Sequence, residues 1–182
     1  MKQRLLFLGP PGAGKGTQAQ RLATSQHLLH LSTGDLLRAE VEAGTPLGQE
    51  AQAVMARGEL VSDALVLAIV RQRLAHHQGG WLLDGFPRNL PQAIALDELL
   101  QELQQSIQVV VLMELEPPVL LQRMLARGRA DDNEEVIRHR LTVYEEQTAP
   151  LIAHYRAQGL LQSVEASGTV EEIADRISDL LS

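Results

Sequence analysis

The chain has 182 residues and a formal net charge of -7; 45% of its residues are hydrophobic, only 3% are aromatic, and none is cysteine. This excludes a disulfide scaffold, a thiolate nucleophile and a Cys-ligated zinc site, and the acidic balance argues against nucleic acid or an anionic membrane as a partner. The length suits a single domain, residues 1–182, with a core of Leu, Val, Ile and Ala. Apolar bursts alternate with helical patterns, the signature of an α/β fold with a parallel sheet covered by helices. A first strand is predicted at residues 4–8 and a helix at 15–26. A short second strand at about 28–31 precedes helices at 34–43, 47–57 and 63–76, the last capped by Ser62. The third strand, 81–83, ends at Asp84 and leads to a helix at 90–103. The fourth, 109–113, is continuously apolar, as a central parallel strand should be. Pro117 and Pro118 mark the start of a helix at 118–127. A long helix follows at about 133–158, with Ile137, Leu141, Tyr144, Thr148, Leu151 and Tyr155 on one face and a bend predicted at Pro150. A fifth strand at about 160–164 and a helix at 169–181 complete the pattern.

No apolar run approaches the ~18 residues of a membrane span, and the first residues are too short in apolar character for a signal peptide. A cytoplasmic protein with no membrane partner is expected. Residues of about 32–61 and about 126–132 read as insertions rather than core, each a candidate cover over a site.

The strongest motif is Gly9-Pro-Pro-Gly12-Ala-Gly14-Lys15-Gly16-Thr17, placed directly between a strand and a helix. Such a loop turns backbone amides onto one anion, the helix N-terminus adds partial positive charge, and Lys15 reaches the outer phosphates. A strict phosphate-binding loop has a hydroxyl directly after the lysine. Here Gly16 intervenes and Thr17 comes one residue later, which favours metal ligation through water. The chain has 14 Arg and two Lys, Lys2 and Lys15, so a guanine-reading Asn-Lys-x-Asp motif is impossible outside the loop. That weighs against a GTPase. The second motif is Asp84-Gly-Phe-Pro-Arg88, at the C-terminal end of the third strand. There a carboxylate can hold Mg2+ through its waters, and Arg88 falls within reach of the same crevice.

Taken with Leu31-Ser-Thr-Gly-Asp35-Leu-Leu-Arg38, Gly58-Glu-Leu-Val-Ser62-Asp63 and Arg140-Leu with Tyr144 downstream, these motifs resemble the adenylate kinases of short-lid type over the whole chain, about residues 5–181. The resemblance implies a P-loop three-layer fold with a five-stranded sheet of order 2-3-1-4-5. It implies an AMP-binding insert at about 32–61 and a lid at about 126–132. It implies reversible transfer of the terminal phosphoryl group of ATP to AMP, with Mg2+, in a monomer. ATP would meet Gly12, Ala13, Gly14, Lys15, Gly16, Thr17, Arg127 and the backbone at Gly168. AMP would meet Thr33, Arg38, Glu59, Leu60, Val61, Gly85, Phe86, Pro87, Arg88, Gln92, Arg129 and Arg140. Catalysis would fall to Lys15, Arg88, Arg123, Arg127, Arg129, Arg140 and Asp84, with Arg123 near the adenine.

The chain departs from the family pattern at Ser62, where Pro is usual, and in a lid reduced to Arg127-Gly128-Arg129. The lid has no Cys or His cluster for zinc. Thr33 and Gln92 are polar groups suited to an adenine edge, whereas relatives that use UMP or CMP usually carry Ala at the Thr33 position. A pyrimidine nucleoside monophosphate kinase and a nucleotide sensor without turnover remain the alternatives.

Overall fold

The three central strands form where apolar residues run almost uninterrupted, because helices bury both faces of the middle of the sheet. The computed structural model describes residues 2–56, 61–128 and 133–182. Within them β1 (Arg4–Leu8), β2 (Leu29–Ser32), β3 (Trp81–Asp84), β4 (Val109–Glu114) and β5 (Leu161–Glu165) form one parallel sheet in the order β2-β3-β1-β4-β5. This is the order the resemblance implied. The helices are α1 (Lys15–Gln26), α2 (Thr33–Ala43), α3 (Pro46–Ala56), α4 (Asp63–Leu74), α5 (Leu90–Glu102), α6 (Pro117–Arg127), α7 (Glu134–Ala157) and α8 (Val170–Leu181).

Side chains alternate across the sheet. Leu6, Leu8, Leu83, Val110 and Leu112 face a layer made by α4, α5 and the C-terminal half of α7. Leu5, Phe7, Leu82, Val109 and Val111 face a second layer made by α1, α6 and α8. Helix α7 serves both layers. Ile137 is buried in the second layer, and Leu151 and Tyr155 are buried in the first. The helix runs on through Pro150. Proline removes one amide donor, but residues 146 and 150 are exposed, so water can take the freed carbonyl.

The register sets the strand ends level. Phe7 of β1 and Ser32 of β2 both pair with Asp84 of β3, so three strands deliver their carboxyl ends to one crevice. Helix α1 leaves β1 on one face of the sheet, while α5 carries the chain from β3 across to β4 on the other. Ligands bind at such a divergence in open α/β sheets.

Some boundaries differ from the sequence reading. The second strand begins at Leu29, because Leu28 is held by α1: His27 takes the left-handed conformation and the Leu28 amide donates to the Ala23 carbonyl at 2.8 Å. Helix α4 ends at Leu74, two residues short of the expected end, and the His77 ring bonds the Gly80 carbonyl at 2.9 Å in the turn to β3. The caps at Ser62, Asn89 and Asn133 form as side-chain acceptors of the amides of Leu65, Gln92 and Val136.

Helices α2 and α3, in the expected insert, pack at van der Waals limit. A Cβ on Gly48 would fall 1.9 Å from the Glu40 carbonyl oxygen. Buried Glu40 accepts from Thr45 and pairs with Arg73 of α4 at 3.2 Å, fastening this helix pair to the core. Residues 57–60 of the insert and 129–132 of the lid lie outside the described residues.

Candidate functional site

The loop from β1 to α1 is shaped by glycine. Gly12 and Gly14 hold φ values of 84° and 86°, a region that L side chains rarely adopt. A Cβ on Gly14 or Gly16 would meet nothing within 4 Å, so the loop faces open space at the start of α1. Ala13 turns its methyl into the core and is 1% exposed, so it offers a ligand only its backbone. Thr17 is exposed and lines the same cleft.

Lys15 and Asp84 meet across β1 and β3 at 3.2 Å. The Asp84 side chain is 10% exposed and that of Lys15 is 25% exposed. Burial alone would raise the Asp84 pKa, but contact with His30 and then the charge of Lys15 outweigh it, and the carboxyl lies below its ordinary value. The group is an anion at neutral pH. His30 of β2 brings Nε2 to 3.7 Å from Asp84 Oδ2, while its Nδ1 bonds Gln20 Oε1 at 3.2 Å. Sequence reasoning missed His30. Its signal was a place two residues before the carboxyl end of a strand neighbouring Asp84.

The cleft has a volume of about 790 Å³. The phosphate loop and Lys15 form one wall, and Gly85, Pro87 and Arg88 form another. Arg123 and Arg127 enter from α6, and Val143, Tyr144, Gln147 and Thr148 of α7 close the back. Burial, with the Glu114 charge second, pushes the Tyr144 phenol up to about 12, so it stays protonated. Gln147 and Val143 were not singled out by sequence, because their place depends on how α7 crosses between the layers.

Of the residues assigned to the acceptor, Gly85 and Thr33 adjoin. A Cβ on Gly85, which holds φ 92°, would come 2.9 Å from Thr33 Oγ1. Phe86 turns its ring into the core, leaving its backbone for the site. Arg88 Nε donates to the Gly85 carbonyl at 3.0 Å. Gln92 is a strut: Oε1 accepts from the Arg88 amide at 2.7 Å and Nε2 donates to Asp63 Oδ1 at 2.8 Å. Each atom keeps one further hydrogen-bonding capacity, a second lone pair on Oε1 and a second proton on Nε2. Arg38 folds onto Asp35 of its own helix and does not line the cleft. Val61 packs on the core. Arg140 is half-buried on α7, outside the cleft lining. Glu59, Leu60 and Arg129 lie outside the described residues. Gly168, at φ 105°, sits in the loop between β5 and α8, in which the Ala166 carbonyl accepts from Arg123 at 3.0 Å.

Among the described residues no group of three or more His, Cys, Asp or Glu could form a metal cage. One buried anionic carboxylate beside an open phosphate loop fits Mg2+, which keeps several waters and takes the rest of its shell from phosphates.

The sequence profile of the family described as adenylate kinase matches residues 7–160. Proteins named adenylate kinase from Synechococcus sp. (strain RCC307), Prochlorococcus marinus (strain MIT 9303) and Parasynechococcus marenigrum (strain WH8102) are 71%, 69% and 68% identical to it, each covering 100% of both chains.

Proposed function

Because the chain belongs to the adenylate kinase family, we infer that it moves the terminal phosphoryl group of ATP to AMP, reversibly, giving two ADP. The observation that best supports this reading is the continuity of one cleft from the phosphate loop and Lys15 to Gly85, Pro87 and Arg88. Donor and acceptor phosphates then share one space with cations on both sides.

Phosphoryl transfer asks mainly for alignment and charge neutralisation. The attacking AMP phosphate is already an anion at neutral pH, so the step needs no strong base. Backbone amides from Gly12 to Thr17 bind the ATP phosphates, and Lys15 leaves Asp84 to meet the transferring group. Arg88 leaves the Gly85 carbonyl for the acceptor side. Arg123 and Arg127 approach from α6, and Arg129 and Arg140 complete the clamp on the AMP phosphate. Thr33, Arg38, the segment Glu59 to Val61, the segment Gly85 to Pro87, and Gln92 receive AMP. Asp84 and Thr17 would hold Mg2+ through its waters, and the bound ion would neutralise phosphate charge. The insert at about 32–61 and the lid at about 126–132 close over the pair and exclude water. We place the enzyme in the cytoplasm as a monomer. Among the described residues no helix is long and apolar enough to cross a membrane.

A coupled assay for ADP formed from ATP and AMP, with UMP, CMP and GMP as competing acceptors, tests the reading. ADP formation with AMP as the preferred acceptor is expected. Preference for UMP or CMP would assign a pyrimidine substrate, and ATP binding without turnover would make the protein a sensor.

A further inference from the structure

Side chains from three helices hold the short loop between β5 and α8. Arg123 of α6 donates one nitrogen to the Ala166 carbonyl at 3.0 Å, and its other reaches the Gly12 and Ala13 carbonyls at 3.5 Å each. Arg176 of α8 donates a single nitrogen to two carbonyls, Glu165 at 2.9 Å and Ser167 at 2.6 Å. Gln18 of α1, buried, donates to the Val170 carbonyl at 3.0 Å, just past the loop. Arg123 lines the cleft and Arg176 does not.

These bonds fix the peptide planes. In a trans peptide the amide points opposite to the carbonyl it shares a plane with. Drawing the Ser167 carbonyl onto Arg176 therefore turns the Gly168 amide away from α8. Drawing the Ala166 carbonyl onto Arg123 sets the Ser167 amide in the same manner. Gly168 is needed for the helix cap beneath it: a Cβ there would fall 2.2 Å from Glu172 Oε2, which accepts from the Thr169 amide at 2.9 Å.

We propose that Arg176 is a positioning residue that presets the loop 165–169 as the wall facing the base of the donor nucleotide, and thereby sets selectivity for the donor base. This rests on the proposed function, with ATP lying beside Arg123 and the backbone at Gly168 as the family resemblance implies. A backbone wall tells a 6-amino purine from a 6-oxo purine only if its donors and acceptors cannot trade places. A peptide free to flip would offer either. The two N–H bonds of that one Arg176 nitrogen are held in fixed directions by the planar guanidinium, whereas an ammonium is a freely rotating point charge on a flexible stem.

The test compares Arg176→Met, Arg176→Lys and Arg123→Gln with the wild type, using ATP or GTP as donor and AMP as acceptor. In Arg176→Met the KM for ATP should rise roughly tenfold, and the preference for ATP over GTP in kcat/KM should fall by a similar factor. The KM for AMP and kcat at saturation should stay within about twofold, and Arg176→Lys should recover part of the loss. Equal rises in both KM values with a lowered Tm would mean that Arg176 only supports the fold and would overturn the proposal, as would unchanged donor selectivity. Should Arg176→Met not fold, the same ratios in Arg176→Lys carry the test. An unchanged KM for ATP in Arg123→Gln would overturn the placement of the donor base and the proposal with it. A raised KM in Arg123→Gln beside a silent Arg176→Met would overturn the proposal alone.

Discussion

Asp84 makes the pH dependence of this molecule legible at a single residue. Its folded pKa lies below the ordinary 3.8, since His30 and Lys15 together outweigh burial. A group depressed in this way stabilises the fold above its unfolded pKa, and the contribution is lost as pH falls through the folded value. Lys15→Met removes one of the two depressing partners and brings the folded value closer to the unfolded one, so the acid destabilisation that Asp84 contributes should shrink relative to the wild type. Asp84→Asn should abolish this part of the pH dependence. Melting temperatures taken from about pH 7 to about pH 3 check both, and superimposable curves for the three proteins would refute the coupling. At neutral pH Lys15→Met should stay folded, because Lys15 carries no core contact. Its kcat should fall at least about a hundredfold, the loss of a charge-assisted contact to the transferring group of about 3–4 kcal/mol. Retention of more than about a tenth of kcat would remove Lys15 from that role. Lys15 and Asp84 were legible in the sequence because each lies in a local motif after a strand. His30 was not, because its approach to Asp84 depends on the β2–β3 register. Nor were the partners of Arg38 and Gln92, which are choices among nearby groups that spacing alone does not rank.

Helices α2 and α3 touch through backbone at Gly48, and this leaves no room for even one methyl. Gly48→Ala must part the two helices, at a cost of about 1–3 kcal/mol. If the pair serves the acceptor, the KM for AMP should rise while that for ATP stays near the wild-type value. Chemical denaturation and paired titrations read the two effects, and a matched loss for both nucleotides would count against an acceptor-side insert. At the other cover, Gly128 ends α6 at φ 68° with its amide on the Leu125 carbonyl at 3.2 Å. Gly128→Pro cannot adopt that angle and has no amide. Transfer to AMP should fall at least about tenfold while phosphate release from ATP persists, because closure fails and water remains. Assays of ADP and phosphate on one sample decide it; unchanged transfer would mean that α6 holds its arginines without a hinge. Element types were readable because apolar runs and caps are local. The ends of β2 and α4 were not, since the closure of α1 by Leu28 and the His77 bond to Gly80 are settled by packing.

The molecule is joined by α7, which buries Ile137 in one layer, Leu151 and Tyr155 in the other, and lines the cleft between them. Ile137→Ala and Leu151→Ala should each cost about 2–5 kcal/mol and should lower one common melting transition. A melt that splits in either variant would mean that the layers are stabilised separately. The stripe of α7 was visible in the sequence, but its passage from one layer to the other was not, because a helical face does not say which partners share it. The strand order likewise rested on the resemblance, since alternation shows which residues face inward and not which strands are neighbours. The pairing of Lys15 with Asp84 also has a chemical use. Lys15 and Lys2 are the only lysines of the chain; Lys2 is exposed and Lys15 is partly shielded in the cleft. An amine-acylating reagent will therefore mark a single lysine inside the cleft, with Lys2 as its internal reference. The ratio of the two labels, weighed by mass spectrometry, is an occupancy gauge for the phosphate loop in the unaltered protein.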